Sequence, residues 1–225
     1  MIDFNQLIDK YLHRKTSQKS VGRYYPSEIG SCIRKIWYSY KYPKELDPGV
    51  RKIFHMGNMV HDFVVDVLKS EKNSEIELLQ SELPLIIDKK DYVLSGRVDN
   101  VLLIKKNNEK VLVEVKSTKL LSMIKETQPS HVMQLQLYMH ALGIHKGILL
   151  YIEKSSLGSK EFTLNYDESK IQEVMTRFET LHQHLVSDKL PDPEAKQKKH
   201  MNWMCNYCNY RERCDLQCDA DDKLN

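Results

Sequence analysis

The chain has 225 residues, of which 34 are basic, 31 acidic and 41% apolar, so its formal charge is only +3. That much apolar material with so little net charge excludes global disorder. No run nears the ~18 consecutive apolar residues of a membrane span, and the opening MIDFNQLIDKYLHRK lacks a basic–apolar–small leader layout, so the expected setting is cytoplasmic. The length fits one elaborated domain or a core with an appendage.

Residues 3–14 space Phe4, Leu7, Ile8 and Leu12 as a short amphipathic helix. The loop 26–30 (PSEIG), with Ser27 as a cap, leads into a helix over 31–40 that carries Cys32. YPKELDPG breaks the chain. A helix over 49–70 follows, with Val50, Ile53, Phe54, Gly57, Val60, His61, Val64 and Leu68 on one core-facing stripe. From about residue 76 the segments ELLQSELPLII, YVLSGRVDNVLLI and KVLVEVKS are β-branched and alternate or run apolar, which predicts three strands. The polar loop KKNNEK makes a hairpin of the second and third. Residues 129–143 read as a helix started by Pro129 and stopped by Gly143. KGILLYIEK and KEFTLNY are two more strands, joined by SSLGS, and 167–187 is a last helix.

This order predicts a mixed α/β core with helices on its faces. It divides into an N-terminal helical segment (1–75), a core (76–187) and a cysteine-rich tail (188–225). The tail cannot bury much apolar surface alone, and a bound metal centre would fix it. The chain has five cysteines: Cys32, far upstream, and Cys205, Cys208, Cys214 and Cys218 in the tail. With an odd count and no export leader, clustered thiols point to a metal or cluster rather than disulfides. The Cys205-x-x-Cys208 step brings two thiolates within reach of one metal.

A second constellation is acidic. Asp99 lies on the second strand, in SGRVD, and Glu114 and Lys116 on the third, in VEVK. Strand period puts Glu114 and Lys116 on one face and Val115 on the other, and the hairpin brings Asp99 beside them. Two carboxylates suit Mg²⁺ or Mn²⁺, the lysine orients a water or stabilises charge, and Val115 adds its carbonyl oxygen. His61, on the core-facing stripe of its helix, can complete the ligand set, whereas His55 sits off that stripe. Gln134 and Tyr138, four residues apart, share a helix face that could hold a phosphate or base; Gln136 points elsewhere. Each has an ordinary alternative: a cross-strand ion pair, a satisfied core histidine, polar residues on a half-buried helix. The basic residues Arg34, Lys35, Arg51, Lys52, Lys119 and Lys125 are candidates for phosphate contact, with Trp37 and Tyr38 as aromatics for unpaired bases. The alternative is a solvated helix face.

Taken in order, His61, Asp99 in GRVD, Glu114 and Lys116 in EVK, and Gln134 with Tyr138 in QLQLY resemble the RecB-like branch of the PD-(D/E)xK nucleases. With Cys32 and Cys205-x-x-Cys208-x5-Cys214, the chain looks like the CRISPR-associated exonuclease family that carries an iron–sulfur cluster, over residues 27–214. The resemblance implies a restriction-endonuclease-like mixed sheet flanked by helices, with the N-terminal helices and tail stapled by the cluster. It implies Mg²⁺- or Mn²⁺-dependent degradation of single-stranded DNA ends, often 5′-to-3′, linked to trimming DNA before storage as a CRISPR spacer, with CRISPR integrase proteins as partners. His61, Asp99, Glu114 and Val115 would hold the metal, Lys116 would position the attacking water, and Gln134 and Tyr138 would support substrate or their helix. Cys32, Cys205, Cys208 and Cys214 would hold a [4Fe-4S] cluster. Cys218 departs from the pattern and leaves open a zinc site made from the tail alone. Two other functions stand beside this one: a catalytically inactive DNA-binding adaptor, and a repair or viral RecB-like nuclease unconnected with CRISPR.

Overall fold

The structure, a computed structural model, describes residues 1–15, 17–70 and 72–222. Three helices come first. In α1 (Phe4–Leu12) the Asp3 carboxylate accepts the Gln6 amide at 3.1 Å. α2 (Ile33–Lys41) starts at Cys32 without a cap from its own side chain; the tail supplies one, because Glu194 accepts the Ile33 amide at 2.7 Å. α3 (Pro48–Lys69) is capped by Asp47, which accepts the Gly49 amide at 2.7 Å, and Pro48 pre-sets its first turn.

The sheet contains β1 (Arg23–Tyr24), β2 (Ile76–Asp88), β3 (Val93–Ile104), β4 (Glu109–Thr118), β5 (Lys146–Glu153) and β6 (Ser159–Asn165). The order runs β1-β3-β4-β5-β6, with β2 also paired to β3. β2–β3, β3–β4 and β5–β6 are antiparallel, whereas β4–β5 and the short β1–β3 contact are parallel. The parallel step needs a crossover, which α4 (Pro129–Leu142) provides before Gly143 ends it at φ +62°. α5 (Glu168–Val186) follows β6 and is capped by Asp167. This is the mixed α/β order expected from the sequence with one strand more: β1, too short to show a strand pattern, lies in the N-terminal segment read as helical and pairs with β3 of the core.

Two features position the site. The β3–β4 ladder runs from Ile104↔Glu109 only as far as Asn100↔Val113; beyond that point β4 stays with β5, pairing Glu114 with Leu149, while the start of β3 pairs with β1. The strands therefore fork at Asp99. On one face of the sheet, α3 covers Leu102, Val113, Val115 and Ile152 with Val60 and Val64. On the other, Leu135, Tyr138 and Met139 of α4 pack on Val98, Leu112 and Leu149.

The expected apolar stripe of α3 is corrected in its first half. Ile53 and Phe54 are 57% and 56% exposed, because only the second half of the helix lies on the sheet; the first half packs alongside α1. The tail is also more ordered than its composition suggests. It forms α6 (Glu194–Gln197), a 3₁₀ segment (Lys199–Tyr207) and α7 (Arg211–Asp222). Arg177 of α5 grips Glu194 through two guanidinium nitrogens, at 3.1 and 2.9 Å, and also donates to the Ile29 and Ser31 carbonyls. Burial opposes the Glu194 charge, but the Arg177 bonds and the Ile33 amide outweigh it and hold the carboxyl below its usual value. Tyr38 of α2 stacks on Tyr210, with ring centroids 5.6 Å apart. No helix among the described residues is long and apolar enough to cross a membrane.

Candidate active site

Asp99, Glu114, Lys116 and His61 converge at the fork. β3 brings Asp99, whose Oδ2 accepts the Val115 amide at 2.7 Å and whose Oδ1 lies 3.4 Å from His61 Nδ1. His61 reaches the fork because Val60 and Val64, one residue before and three after it, seat α3 on the sheet. As strand period requires, Val115 is fully buried under α3 while Glu114 and Lys116 share the opposite face, with Lys116 Nζ donating to Glu114 Oε1 at 2.7 Å. Lys116 Nζ also donates to Gln134 Oε1 at 2.9 Å, and Gln134 Nε2 to the Tyr138 hydroxyl at 3.2 Å. The i, i+4 pair on α4 thus forms a relay that holds the lysine. Gln136 points elsewhere, bridging the Asn165 carbonyl and the Asp167 amide. Gly96 makes room for Tyr138: a Cβ there would lie 3.0 Å from both the tyrosine and Pro26.

The electrostatics are those of a site built for a positive charge. Glu114 is only 2% exposed, and burial followed by the neighbouring Asp99 charge pushes its carboxyl well above the ordinary value. Its Oε2 is buried and accepts no hydrogen bond among the described residues. An orphaned carboxylate oxygen beside a second carboxylate and an imidazole is the donor chemistry of a hard divalent cation. For His61, burial disfavours the imidazolium, but Asp99, and then Glu114, more than offset this and raise its pKa. Sequence reasoning missed Glu82 on β2, whose carboxylate has an oxygen within 4.8 Å of the ligand atoms of His61 and Asp99. No signal in the sequence points to it; the register that sets it there is a tertiary feature, with Ser81↔Asn100 and Leu83↔Val98 bracketing a pairing of Glu82 with Asp99.

Four of the five cysteines, Cys32, Cys205, Cys208 and Cys214, line one cavity together with Arg34, Lys196 and Arg211. Burial and then the neighbouring Cys32 and Cys208 thiols raise the Cys205 pKa. Arg34 donates towards Cys214 Sγ at 3.8 Å and Cys218 Sγ at 3.5 Å. The structure therefore places Arg34, 4% exposed and also bonded to the Pro191 carbonyl, behind the cysteines and not on a DNA-facing surface. Trp37, 6% exposed, donates its indole N–H to the His184 carbonyl, so it too is withdrawn from the expected set of DNA contacts, and Tyr38 is buried beside it. Lys35 is half-buried and Lys119 exposed.

The sequence profile of the PD-(D/E)XK nuclease superfamily matches residues 26–215. The chain belongs to that superfamily, and its mixed sheet flanked by helices is the corresponding fold. Among named relatives, it is 26% identical to the CRISPR-associated exonuclease Cas4 of Saccharolobus solfataricus, over 92% of this chain and 95% of that one. The fold matches the crystal structure of SSO0001 with a TM-score of 0.61 at 22% identity, covering 92% of this chain and 94% of that one. It also matches LHK-Exo, an alkaline exonuclease from Laribacter hongkongensis. Its complex with dAMP gives a TM-score of 0.53 at 11% identity, over 75% of this chain and 90% of that one.

Proposed function

We propose that this protein is a divalent-metal-dependent deoxyribonuclease that removes nucleotides from single-stranded DNA ends with 5′-to-3′ polarity, trimming DNA before its storage as a CRISPR spacer alongside integrase proteins. The observation that carries the reading is the convergence of His61, Asp99 and Glu114 at the fork, with the unsatisfied Glu114 Oε2 beside a lysine held by Gln134. His61, Asp99, Glu114 and the Val115 carbonyl would hold Mg²⁺ or Mn²⁺, which supplies Lewis-acid charge at the phosphate and activation of water. Lys116 carries its own charge to the scissile phosphate and orients the attacking water. Gln134 and Tyr138 keep that ammonium in place.

The path of the strand is supported by a groove of about 860 Å³ between α1, α2, α3 and the tail, lined by Arg14, Lys15, Lys19, Lys35, Lys44 and Arg51. Asn58, one turn before His61 on α3, also lines it. Such a basic channel suits a phosphate backbone read without sequence preference. A [4Fe-4S] cluster on Cys32, Cys205, Cys208 and Cys214 fits the cysteine-lined cavity, where Arg34, Lys196 and Arg211 offset thiolate charge. It ties α2 to the tail and acts as a structural staple.

The deciding experiment is digestion of single-stranded DNA labelled at either end, with Mn²⁺ or with EDTA. Stepwise release from the 5′ end that needs the metal, and that vanishes in Lys116→Ala, supports the reading; metal-independent cleavage, or none by a metal-loaded protein, overturns it.

A further inference from the structure

Glu82 holds an unusual place. It lies within a strand, yet its φ is +53°, a left-handed conformation that any residue with a Cβ resists. A register shift between Leu78 and Gln80 precedes it, and the pairing on either side sets it across from Asp99. The result is a carboxylate carried to the His61 and Asp99 ligand atoms. On its other side Glu82 pairs with Arg97 Nε, and the Arg97 side chain is 66% exposed. Within this group Lys116 answers Glu114, His61 answers Asp99 and Arg97 answers Glu82. Among the described residues the buried Glu114 Oε2 has no such answer, and it points to a further positive charge.

We infer that Glu82 is an additional carboxylate of the metal centre, shared between the cation and Arg97. A divalent ion at His61 and Asp99 draws Glu82 away from Arg97. The released guanidinium, exposed on the strand that carries Asp99, then takes a DNA phosphate, which its planar fork grips with two hydrogen bonds. Metal loading thereby prepares the site for DNA. This inference rests on the nuclease reading above.

The test is Mn²⁺ binding to the intact protein without DNA, read by the electron paramagnetic resonance of free Mn²⁺. Glu82→Gln should weaken Mn²⁺ binding about tenfold, the scale for losing a supporting carboxylate, whereas neutralising the remote Glu77, exposed on the same strand, should leave it unchanged at physiological salt. Arg97→Gln should tighten Mn²⁺ binding, because the competing partner is gone, and weaken DNA binding measured in Ca²⁺. Should Glu82→Gln fold poorly, Glu82→Gly carries the test, since glycine accepts φ +53° without strain. Unchanged Mn²⁺ affinity in the Glu82 variants, or weakened affinity in Arg97→Gln, overturns the inference while Asp99→Ala still abolishes binding. A wild-type protein that binds no Mn²⁺ overturns the nuclease reading itself.

Discussion

Asp99 and Val115 are joined across the fork between β3 and β4, the aspartate Oδ2 accepting the valine amide at 2.7 Å. The bond closes a gap that the sheet cannot close for itself, because the β3–β4 ladder ends one pair earlier, at Asn100↔Val113. Asp99 therefore has a structural task on one oxygen, and on the proposed reading a metal-binding one on the other.

The two tasks separate by substitution. Asp99→Asn keeps an acceptor for Val115 and loses the charge, whereas Asp99→Ala loses both. Each should lower metal-dependent cleavage by at least about 100-fold, the scale for removing one charge-stabilising group. Only Asp99→Ala should also lose stability, by about 1–3 kcal/mol for a stranded buried amide. Activity assays paired with urea denaturation distinguish them; equal destabilisation by both variants would mean that the hydrogen bond contributes nothing.

Glu194 links α6, α2 and α5 through Ile33 and Arg177. Glu194→Ala leaves the guanidinium without its carboxylate and should cost about 3–5 kcal/mol, as breaking buried ion pairs does. Glu194→Gln, which can still accept from Ile33, should cost less. Urea midpoints of the two variants check the order.

His131 sets an acid limit. Burial, then the Lys116 charge, push its pKa down to about 3, and it shares a hydrogen bond of 2.9 Å with the Tyr151 hydroxyl. The unfolded chain takes up this proton below about pH 6.5, whereas the folded chain does not until about 3. This contribution to stability is therefore complete above the unfolded value and is lost as pH falls through that window. His131→Gln should flatten the slope by at most about 1.4 kcal/mol per pH unit, seen in melting curves from neutral to acid pH. An unaltered slope would mean that the imidazole is protonated in the folded state.

The cysteines are separable too. Cys218 does not line the cavity that the other four share. Cys32→Ser should therefore abolish bound iron and the absorbance near ~400 nm expected of a cluster, while Cys218→Ser should keep both. Zinc held by the tail alone would reverse the two outcomes in a metal assay of anaerobically purified protein.

Much of the site was legible because local rules generate it. Strand period alone put Glu114 and Lys116 on one face, helix spacing alone put Gln134 and Tyr138 on another, and the polar loop between β3 and β4 announced the hairpin. Arg34 and Trp37 were misplaced for the opposite reason: an amphipathic pattern shows that a helix has two faces but not which neighbour covers the second. Here α5 and the tail cover both residues through the His184 and Pro191 carbonyls. Glu82 escaped notice because nothing in ELLQSELPLII signals a left-handed residue within a strand.

The order of elements, the acid–acid–lysine set and the spacing of the cysteines were determined by the sequence, since each follows from periodicity, turn chemistry or residue type over a few positions. Tertiary structure alone decided that β3 and β4 part at Asp99, that Glu82 crosses to join His61, and that Cys32 meets three cysteines more than 170 residues away. These are long-range contacts, made by packing of surfaces whose partners no local stretch of chain encodes.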